Sequence, residues 1–268
     1  MSRGMDLQLK DKTALVTGST AGIGFAIASA LAAEGTRVII NGRTAERVES
    51  AKADLRKSSL NNNVEGIAAD VTTASGINEI ISQFPAVDIL INNFGLFWPR
   101  TFEETTDEEW LRIFEANVLS GVRLSRHYFP RMLKAGWGRV IFISSESGVQ
   151  IPSEMIHYGV TKTAQIALAR GMAELTVGTQ VTVNSVLPGP TNSEGVGTFV
   201  ADLAKSKGIT TEEMEREFFD NARPTSLIRR FADPAEIANM VAYLASPKSS
   251  ATNGAALRVD GGVIRAAV

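Results

Sequence analysis

Thr13-Ala-Leu-Val-Thr-Gly-Ser-Thr-Ala-Gly-Ile-Gly24 is the stretch of the sequence that decides the fold. It begins as a short apolar run of strand length and continues into a turn that contains three glycines. An alanine-rich segment follows, with Ile23, Ile27 and Leu31 on one helical face, and it ends at Gly35. Glycines let the backbone approach a phosphate, and a helix amino terminus favours negative charge. Strand, glycine turn and helix in this order therefore predict the front half of a βαβ nucleotide site.

Apolar runs alternate with amphipathic segments along nearly the whole chain. Further strands are predicted at Arg37–Ile40, Val64–Val71, Val87–Ile91, Val140–Ile143 and Val181–Val186, with a last strand and turn within Asn253–Gly262. No repeat, low-complexity tract or interdomain linker interrupts this alternation. The pattern predicts one α/β domain over residues 1–268. Its fold is a Rossmann-type, doubly wound parallel sheet of about seven strands with helices on both faces.

Composition and charge limit the class of protein. The chain has 268 residues, a net charge of −2, two histidines and no cysteine. Disulfides, thiolate metal sites and cysteine nucleophiles are therefore excluded, and no metal site is predicted. The charge gives no case for a nucleic acid or an anionic membrane as partner. Met1–Leu9 lacks the apolar core of a secretory signal and no apolar run approaches about eighteen residues, so we expect a cytoplasmic protein.

A serine, a tyrosine and a lysine stand at spacings that make chemical sense together. If Tyr158–Lys162 is helical, the phenol and the ammonium are neighbours on one face. A cation beside a tyrosine lowers the pKa of the phenol and makes it usable for general acid–base catalysis. Ser145 follows the buried strand Val140–Ile143, where its hydroxyl is placed to hold a substrate oxygen. Taken alone, a core tyrosine and a surface lysine would explain the same spacing.

These residues resemble the Ser–Tyr–Lys set of the short-chain dehydrogenase/reductase family, in its 3-oxoacyl-reductase-like branch. The glycine spacing Gly-x-x-x-Gly-x-Gly at positions 18–24 is also the form found in that family, and the resemblance covers about residues 9–263. It implies an NAD(P)(H)-dependent oxidoreductase that interconverts a secondary alcohol and a ketone. In it Tyr158 moves the proton, Lys162 holds the ribose hydroxyls and lowers the tyrosine pKa, and Ser145 orients the substrate oxygen. Asn117 completes the catalytic set by kinking its helix and holding a water that links the lysine to solvent.

The resemblance also implies a set of cofactor contacts. They are expected at Gly18, Ser19, Thr20, Gly22, Ile23, Gly24, Arg43, Asp70, Val71, Asn92, Gly95, Tyr158, Lys162, Pro188, Gly189 and Thr191. Asp70 is implied to accept from the adenine amino group, although it is also suited to cap the helix that begins near Thr73. Phe94 departs from the family's usual Asn-Asn-Ala-Gly and is expected to crowd the cofactor ribose or to shape the pocket wall.

The end of the second strand bears on the choice between NAD(H) and NADP(H). A carboxylate at this place binds the ribose 2′-hydroxyl of NAD, whereas an arginine accommodates the 2′-phosphate of NADP. The sequence has no carboxylate between Arg37 and Thr44, and Gly42 leaves room beside Arg43. NADP(H) is therefore favoured over NAD(H). Two alternatives stay open: Arg43 is equally suited simply to start the solvated helix Ala45–Lys57, and a glycine at this place also occurs with NAD.

A long segment after the sixth strand is expected to form a substrate lid over about residues 190–230. Its Phe199, Met214, Phe218 and Phe219 are suited either to face a substrate or to pack the lid itself. The loops predict an apolar pocket wall from Leu96, Phe97, Trp98 and Met155. Arg100 and Arg223 are equally suited to bind a carboxylate, so the substrate, a small carbonyl or alcohol compound, stays open. Relatives of this length imply a homo-oligomer, either a tetramer or a dimer.

A second class of function is a dinucleotide-binding sensor or scaffold that has kept the fold and lost catalysis, since a fold alone does not establish an activity. The four polar residues Asn117, Ser145, Tyr158 and Lys162 argue against it, because a binding protein needs no polarised phenol. An epimerase or dehydratase acting on a nucleotide sugar is a further alternative. The short chain and the glycine spacing favour the simpler reductase.

Overall fold

A computed structural model describes residues 6–59 and 61–267. Of the segment Met1–Leu9 it describes residues 6–9. The side chain of Phe199, for which the sequence allows either a substrate contact or core packing, lies outside the described part.

Seven parallel strands form one sheet, as the sequence predicts. They are β1 Thr13–Val16, β2 Arg37–Gly42, β3 Val64–Ala68, β4 Ile89–Asn92, β5 Trp137–Ile143, β6 Gln180–Pro188 and β7 Ala256–Val259. Their order across the sheet is β3-β2-β1-β4-β5-β6-β7. The order reverses between β1 and β4, and the carboxyl ends of the strands on either side of such a reversal leave a crevice in which ligands bind.

Nine α-helices accompany the strands in the described residues. They are α1 Gly22–Ala33, α2 Ala45–Ser59, α3 Ala74–Gln83, α4 Asp107–Phe114, α5 Ser120–Ala135, α6 Ile156–Ala173, α7 Glu194–Lys207, α8 Thr211–Glu217 and α9 Pro234–Ala245. In the part of the chain that the structure covers, none of these helices combines the length and the apolar character needed to cross a membrane.

Two apolar layers cover the two faces of the sheet. Along β1, Ala14 and Val16 pack with α1 and α9, while Leu15 between them packs on the other face with α3 and α5. This alternation follows from the two-residue period of a strand. Because both faces are covered, the strands are continuous apolar runs, as is usual for a parallel sheet. The prediction of helices on both faces is confirmed.

Some strand boundaries differ from the sequence prediction. The second strand extends to Gly42, because Asn41 and Gly42 pair with Ile67 and Ala68 of β3. The fifth strand begins at Trp137, three residues before the predicted start, and its whole length pairs with β6. A search for apolar runs misses these strand ends because they contain polar and glycine residues. Their backbones nevertheless complete the hydrogen-bond ladder of the sheet.

The helix predicted around Asn117 is two helices joined by a wider turn. A capping box at Thr106 and Glu109 starts α4, and residues Glu115–Leu119 form a π-helical turn before α5. Such π turns bend a helix and often occur at functional sites. Asn117 lies in this turn, which matches the kink that the resemblance implies.

The segment between β6 and α9, residues 189–233, is a helical insertion. It contains α7, α8 and a second π-helical turn at Phe218–Ala222. Val200, Ala204 and Met214 form a small core of their own, against which Phe231 packs. The two ends of the insertion meet where Thr191 pairs with Ala232.

Close packing of the glycine turn gives a test of this fold. A Cβ atom on Gly24 would lie 2.4 Å from the Gly18 carbonyl oxygen and 2.5 Å from Nδ2 of Asn93. We expect Gly24→Ala to lower the free energy of unfolding by about 1–3 kcal/mol, because overpacking forces the backbone to shift. Urea unfolding followed by circular dichroism measures the change.

The matched control is Gly171→Ala in α6, where an added Cβ meets no atom within 4 Å. That change should raise stability by about 0.5–1 kcal/mol, the usual gain for alanine over glycine inside a helix. Equal stability of the Gly24→Ala variant and the parent protein would contradict the proposed packing.

Candidate active site

The carboxyl ends of the strands open into one cavity of about 920 Å³. Most of the predicted site residues line it: Gly18, Thr20, Gly22, Ile23, Gly24, Arg43, Val71, Gly95, Ser145, Tyr158, Lys162, Pro188, Gly189 and Thr191. Four other predicted residues, Ser19, Asp70, Asn92 and Asn117, are not among the lining residues.

The glycine turn forms a backbone cradle at one end of the cavity. Gly18 and Gly22 adopt φ angles of +60° and +57°, which residues other than glycine rarely adopt. A Cβ on Gly18 would meet the Phe94 ring at 3.3 Å, so the predicted departure Phe94 packs directly over this turn. The cradle precedes the amino terminus of α1, and its open backbone fits a phosphate group.

Ser19 supports the turn from below. It is fully buried, its hydroxyl donates to the Val16 carbonyl at 2.7 Å, and it accepts from the Asn41 amide at 3.0 Å. Asn41, which sequence reasoning missed, accepts from the Gly18 amide and donates to the Ala69 carbonyl. Its side chain therefore joins the glycine turn to β2 and β3. A buried asparagine in an apolar strand is the signal that would have found it.

The end of the cavity next to β2 lies beside Gly42 and Arg43. A Cβ on Gly42 would lie 2.5 Å from Cγ2 of Thr20, so a larger side chain at this position would require Thr20 to shift. Arg43 is exposed and lines the cavity, as does Arg47 one turn later, which pairs with Glu194 of the helical insertion at 2.8 Å. The four-residue spacing from Arg43 is the signal for Arg47.

Two predicted contacts are placed differently from expectation. Asp70 folds onto Thr72, accepting from its amide at 2.9 Å and its hydroxyl at 2.8 Å. The cap of α3 is Thr73, not Asp70, because the Thr73 hydroxyl accepts from the Gly76 amide. Asn92 donates to Ser125 on the far side of β4, whereas its neighbour Asn93 lines the cavity.

Ser145, Tyr158 and Lys162 converge at the opposite end of the cavity. Ser145 follows β5, and α6 begins at Ile156, so the tyrosine and the lysine lie one turn apart on the same helix, as predicted. The Lys162 Nζ lies 5.6 Å from the centre of the tyrosine ring. Gly95 lies next to the lysine, since a Cβ on Gly95 would be 3.4 Å from that Nζ.

Asn117 lies behind the lysine and not in the cavity wall. Its side chain accepts from the Leu96 amide at 2.7 Å and donates to Thr161 at 3.0 Å. The Lys162 Nζ donates to the Ile143 carbonyl at 2.9 Å and to Oε1 of Gln165 at 3.2 Å. Nε2 of Gln165 donates in turn to the Asn117 carbonyl. The amide of Gln165 thus links the lysine to Asn117, where the resemblance implies a water. No motif in the sequence singles out Gln165.

Comparisons with known proteins agree with this geometry. Residues 12–204 match the family described as short chain dehydrogenase. The chain belongs to the short-chain dehydrogenase family. It is 49% identical to the uncharacterized oxidoreductase YvaG of Bacillus subtilis over 97% of this chain and 99% of that protein. It is 33% identical to a 3-oxoacyl-acyl-carrier-protein reductase of Vibrio cholerae, covering 96% of this chain and 99% of that one.

A solved structure of the family is closely similar. L-sorbose reductase from Gluconobacter frateurii, complexed with NADPH and L-sorbose, superposes with a TM-score of 0.91 at 31% identity. The match covers 98% of this chain and 100% of that one. The relatives are oxidoreductases and dehydrogenases, and this short-chain dehydrogenase is accordingly an oxidoreductase that acts on alcohol or ketone groups.

Burial governs the charge states of the two central residues of this short-chain dehydrogenase. Burial raises the pKa of the Tyr158 phenol, the negative charge of Glu146 raises it further, and Ser145 and Arg223 lower it only in part. Burial lowers the pKa of Lys162 to about 7. The sequence predicts a lowered tyrosine pKa, and the structure gives the opposite direction. The reason is that burial of the phenol disfavours its charged form, while Lys162 directs its Nζ to Ile143 and Gln165.

A buried ion pair beside the serine is a second feature that sequence reasoning missed. The Ser145 hydroxyl donates to Oε2 of Glu146, and Oε1 of Glu146 pairs with Nε of Arg223 at 2.8 Å. Nη1 of Arg223 also pairs with Glu154 at 3.1 Å. Arg223 was expected only as a candidate carboxylate binder. The signal for Glu146 is its place directly after Ser145, but its partner lies 77 residues away in the sequence.

The apolar wall is only partly as predicted. Leu96, Phe97 and Met155 line the cavity, and Phe218 of the helical insertion lines it as well. Trp98 does not; its ring packs 5.0 Å from the buried His157. Met214 is buried in the small core of the insertion while also bordering the cavity. His157 lies outside the cavity wall.

The lysine pKa makes stability depend on pH. In the unfolded chain Lys162 binds a proton up to about pH 10.5, whereas in the folded protein it does so only below about 7. Between these values the unfolded state binds more protons, so the lysine's contribution to stability rises with pH. We subtract the free energy of unfolding of Lys162→Met from that of the parent protein. We expect this difference to increase across this range by up to about 1.4 kcal/mol per pH unit.

Urea unfolding at several pH values measures this difference, and Lys57→Met, at an exposed position in α2, is the control. A pH-independent difference for Lys162→Met would show that the lysine keeps an ordinary pKa in the folded protein.

Proposed function

We propose that this short-chain dehydrogenase interconverts a secondary alcohol and a ketone by hydride transfer with a nicotinamide cofactor, with Tyr158 as general acid and base. The observation that supports it is that Ser145, Tyr158 and Lys162 share one cavity with the glycine cradle. The bound nicotinamide supplies or accepts the hydride. The residues suited to hold the cofactor are the cradle Gly18–Gly24 with Arg43, Gly95 and Pro188–Thr191.

Tyr158 transfers the proton that balances the hydride. In reduction, the carbonyl carbon gains the hydride while the phenol O–H bond breaks and its proton goes to the carbonyl oxygen, which becomes the alcohol. The raised pKa keeps the phenol protonated at neutral pH, so the residue is ready to donate in this direction. Ser145 orients the oxygen by a hydrogen bond, and Lys162, in the protonated form that predominates below about pH 7, stabilises the phenolate left behind.

Asn117 and Gln165 position the lysine. The Gln165 amide accepts from Lys162 and donates to the Asn117 carbonyl, so it holds the ammonium between the tyrosine helix and the π-helical turn. A second set of bonds from the Asn117 side chain to Leu96 fixes the end of β4 next to the site. This arrangement keeps the cation at a constant distance from the phenol.

The favoured cofactor is NADP(H). Gly42 supplies no carboxylate to bind a ribose 2′-hydroxyl, and Arg43 and Arg47 both line the adenosine end. Planar guanidinium groups suit a phosphate because they donate in a fork. The related L-sorbose reductase is complexed with NADPH.

The helical insertion is proposed to act as the substrate lid. Its Val196, Leu203, Phe218 and Arg223 line the cavity on the side away from the sheet. Closure of such a segment excludes water and strengthens electrostatic interactions in the site. The domain thus divides into a cofactor half on the sheet and a substrate half under the insertion.

The tyrosine gives the direct test of the chemistry. We expect Tyr158→Phe to lower kcat by about 10²–10⁴-fold, the usual contribution of general acid catalysis, while the Kd for NADPH changes less than about twofold. Stopped-flow absorbance with a reducible ketone measures kcat, and nicotinamide fluorescence measures binding. Tyr243→Phe in α9 is the control. Full activity of Tyr158→Phe would remove the tyrosine from the mechanism, and NADPH binding without turnover in the parent protein would favour the sensor or scaffold.

Cofactor preference has its own test. We expect Arg43→Gln and Arg47→Gln each to weaken NADPH binding by about tenfold and to leave NADH binding unchanged, because only NADPH carries the 2′-phosphate. Fluorescence titrations with the two cofactors give both constants, and Arg126→Gln on α5 is the control. Equal losses for NADH and NADPH would show that these arginines do not recognise the 2′-phosphate.

A further inference from the structure

Three charged side chains surround the substrate end of the cavity, which is bordered by Phe97, Met155 and the helical insertion. Glu146 and Arg223 are both buried, and Glu154 is partly exposed at the rim. All three line the cavity close to Tyr158. The guanidinium pairs with both carboxylates, so the cluster carries a net charge of −1.

Two of the three guanidinium nitrogens of Arg223 are already paired. Its Nε is paired with Glu146 at 2.8 Å, and its Nη1 is shared between Glu154 and the Ala222 carbonyl. The second oxygen of Glu146 accepts from Ser145 and from the amide and hydroxyl of Ser147. An incoming anion would therefore meet Arg223 only at Nη2, with both carboxylates beside it, or would have to displace Glu146 or Glu154.

The other cation on this side of the cavity, Lys207, is also in an ion pair with a carboxylate. Lys207 pairs with Glu217 within the helical insertion. Among the described residues lining the cavity, the cations outside these pairs lie elsewhere: Arg43 and Arg47 at the adenosine end, and Lys162 beneath the tyrosine. The substrate end therefore offers an anion no uncommitted positive charge.

Displacing the pair would be unfavourable. Glu146 is buried, and a buried carboxylate that loses its cation is strongly destabilised. The Coulomb repulsion between Glu154 and a second carboxylate adds to this cost in a cavity of low polarity. Leu96, Phe97, Met155 and Phe218, by contrast, offer apolar surface to an uncharged substrate.

We propose that this cluster selects uncharged carbonyl compounds and rejects keto acids, with Glu146 and Glu154 as the specificity-determining residues. This inference rests on the proposed oxidoreductase function. In this proposal Arg223 binds Glu146 and Glu154 and not a substrate carboxylate. Of the neutral and acidic substrates that the sequence leaves open, the proposal favours the neutral one.

Matched substrates that differ in charge test the inference. Ethyl acetoacetate with acetoacetate, and ethyl pyruvate with pyruvate, present the same reacting ketone with and without a carboxylate. We expect kcat/KM with NADPH or NADH to be at least about tenfold higher for the ester of each pair, since a like charge disfavours the anion. Most of the difference should lie in KM.

Two variants and one control assign the effect. Glu154→Gln and Glu146→Gln each remove one negative charge and replace the carboxylate by an amide of similar shape. We expect each to reduce the ester-to-acid ratio by about fivefold or more, because the cluster becomes neutral. Glu103→Gln, at an exposed position outside the cavity, should leave the ratio unchanged. Since Glu146 contacts Ser145, the rim variant Glu154→Gln keeps the test valid if Glu146→Gln folds poorly.

The outcomes separate the two proposals. Equal kcat/KM for ester and acid, a preference for the acid, or a ratio that neither variant changes would overturn the inference and leave the oxidoreductase function standing. Failure to reduce any ester or acid, with nicotinamide binding intact, would overturn the proposed function and the inference with it.

Discussion

The close approach of the ends of β1 and β4 is the constraint on which the rest of the site depends. The Thr17 hydroxyl accepts from the amides of Asn93 and Phe94, and the Asn93 side chain donates to the carbonyls of Thr17 and Gly18. These bonds fix the glycine turn against the next strand at the point where the strand order reverses. The turn, the cradle and the position of Gly95 beside Lys162 all follow from this one junction.

Most of the fold can be predicted from the sequence because its signals are local. A parallel sheet buried on both faces needs continuous apolar strands, and these stand out between amphipathic helices. The glycine turn and the pair Tyr158–Lys162 are also local, since their spacing alone places them at a strand end and on one helix face. The sequence therefore predicts the sheet and its helices, and most of the site residues that it predicts line the cavity.

What the sequence cannot supply are the partners of polar groups that come from distant segments. Gln165 meets Asn117, and Arg223 meets Glu146, only after the helices have packed. The direction of the Tyr158 pKa is missed for the same reason. Spacing puts a cation near the phenol, but burial, which depends on the whole fold, sets both charge states.

The paired ends of the helical insertion have a consequence for how the family can diversify. Thr191 and Ala232 lie side by side, so the point where the chain leaves β6 is close to the point where it enters α9. A loop closed in this way can change length at small entropic cost, which grows only with the logarithm of the loop length. The strands keep their register when the insertion is lengthened, shortened or replaced. The scaffold that carries Ser145, Tyr158 and Lys162 can therefore stay fixed while the surface of the insertion over the cavity evolves independently.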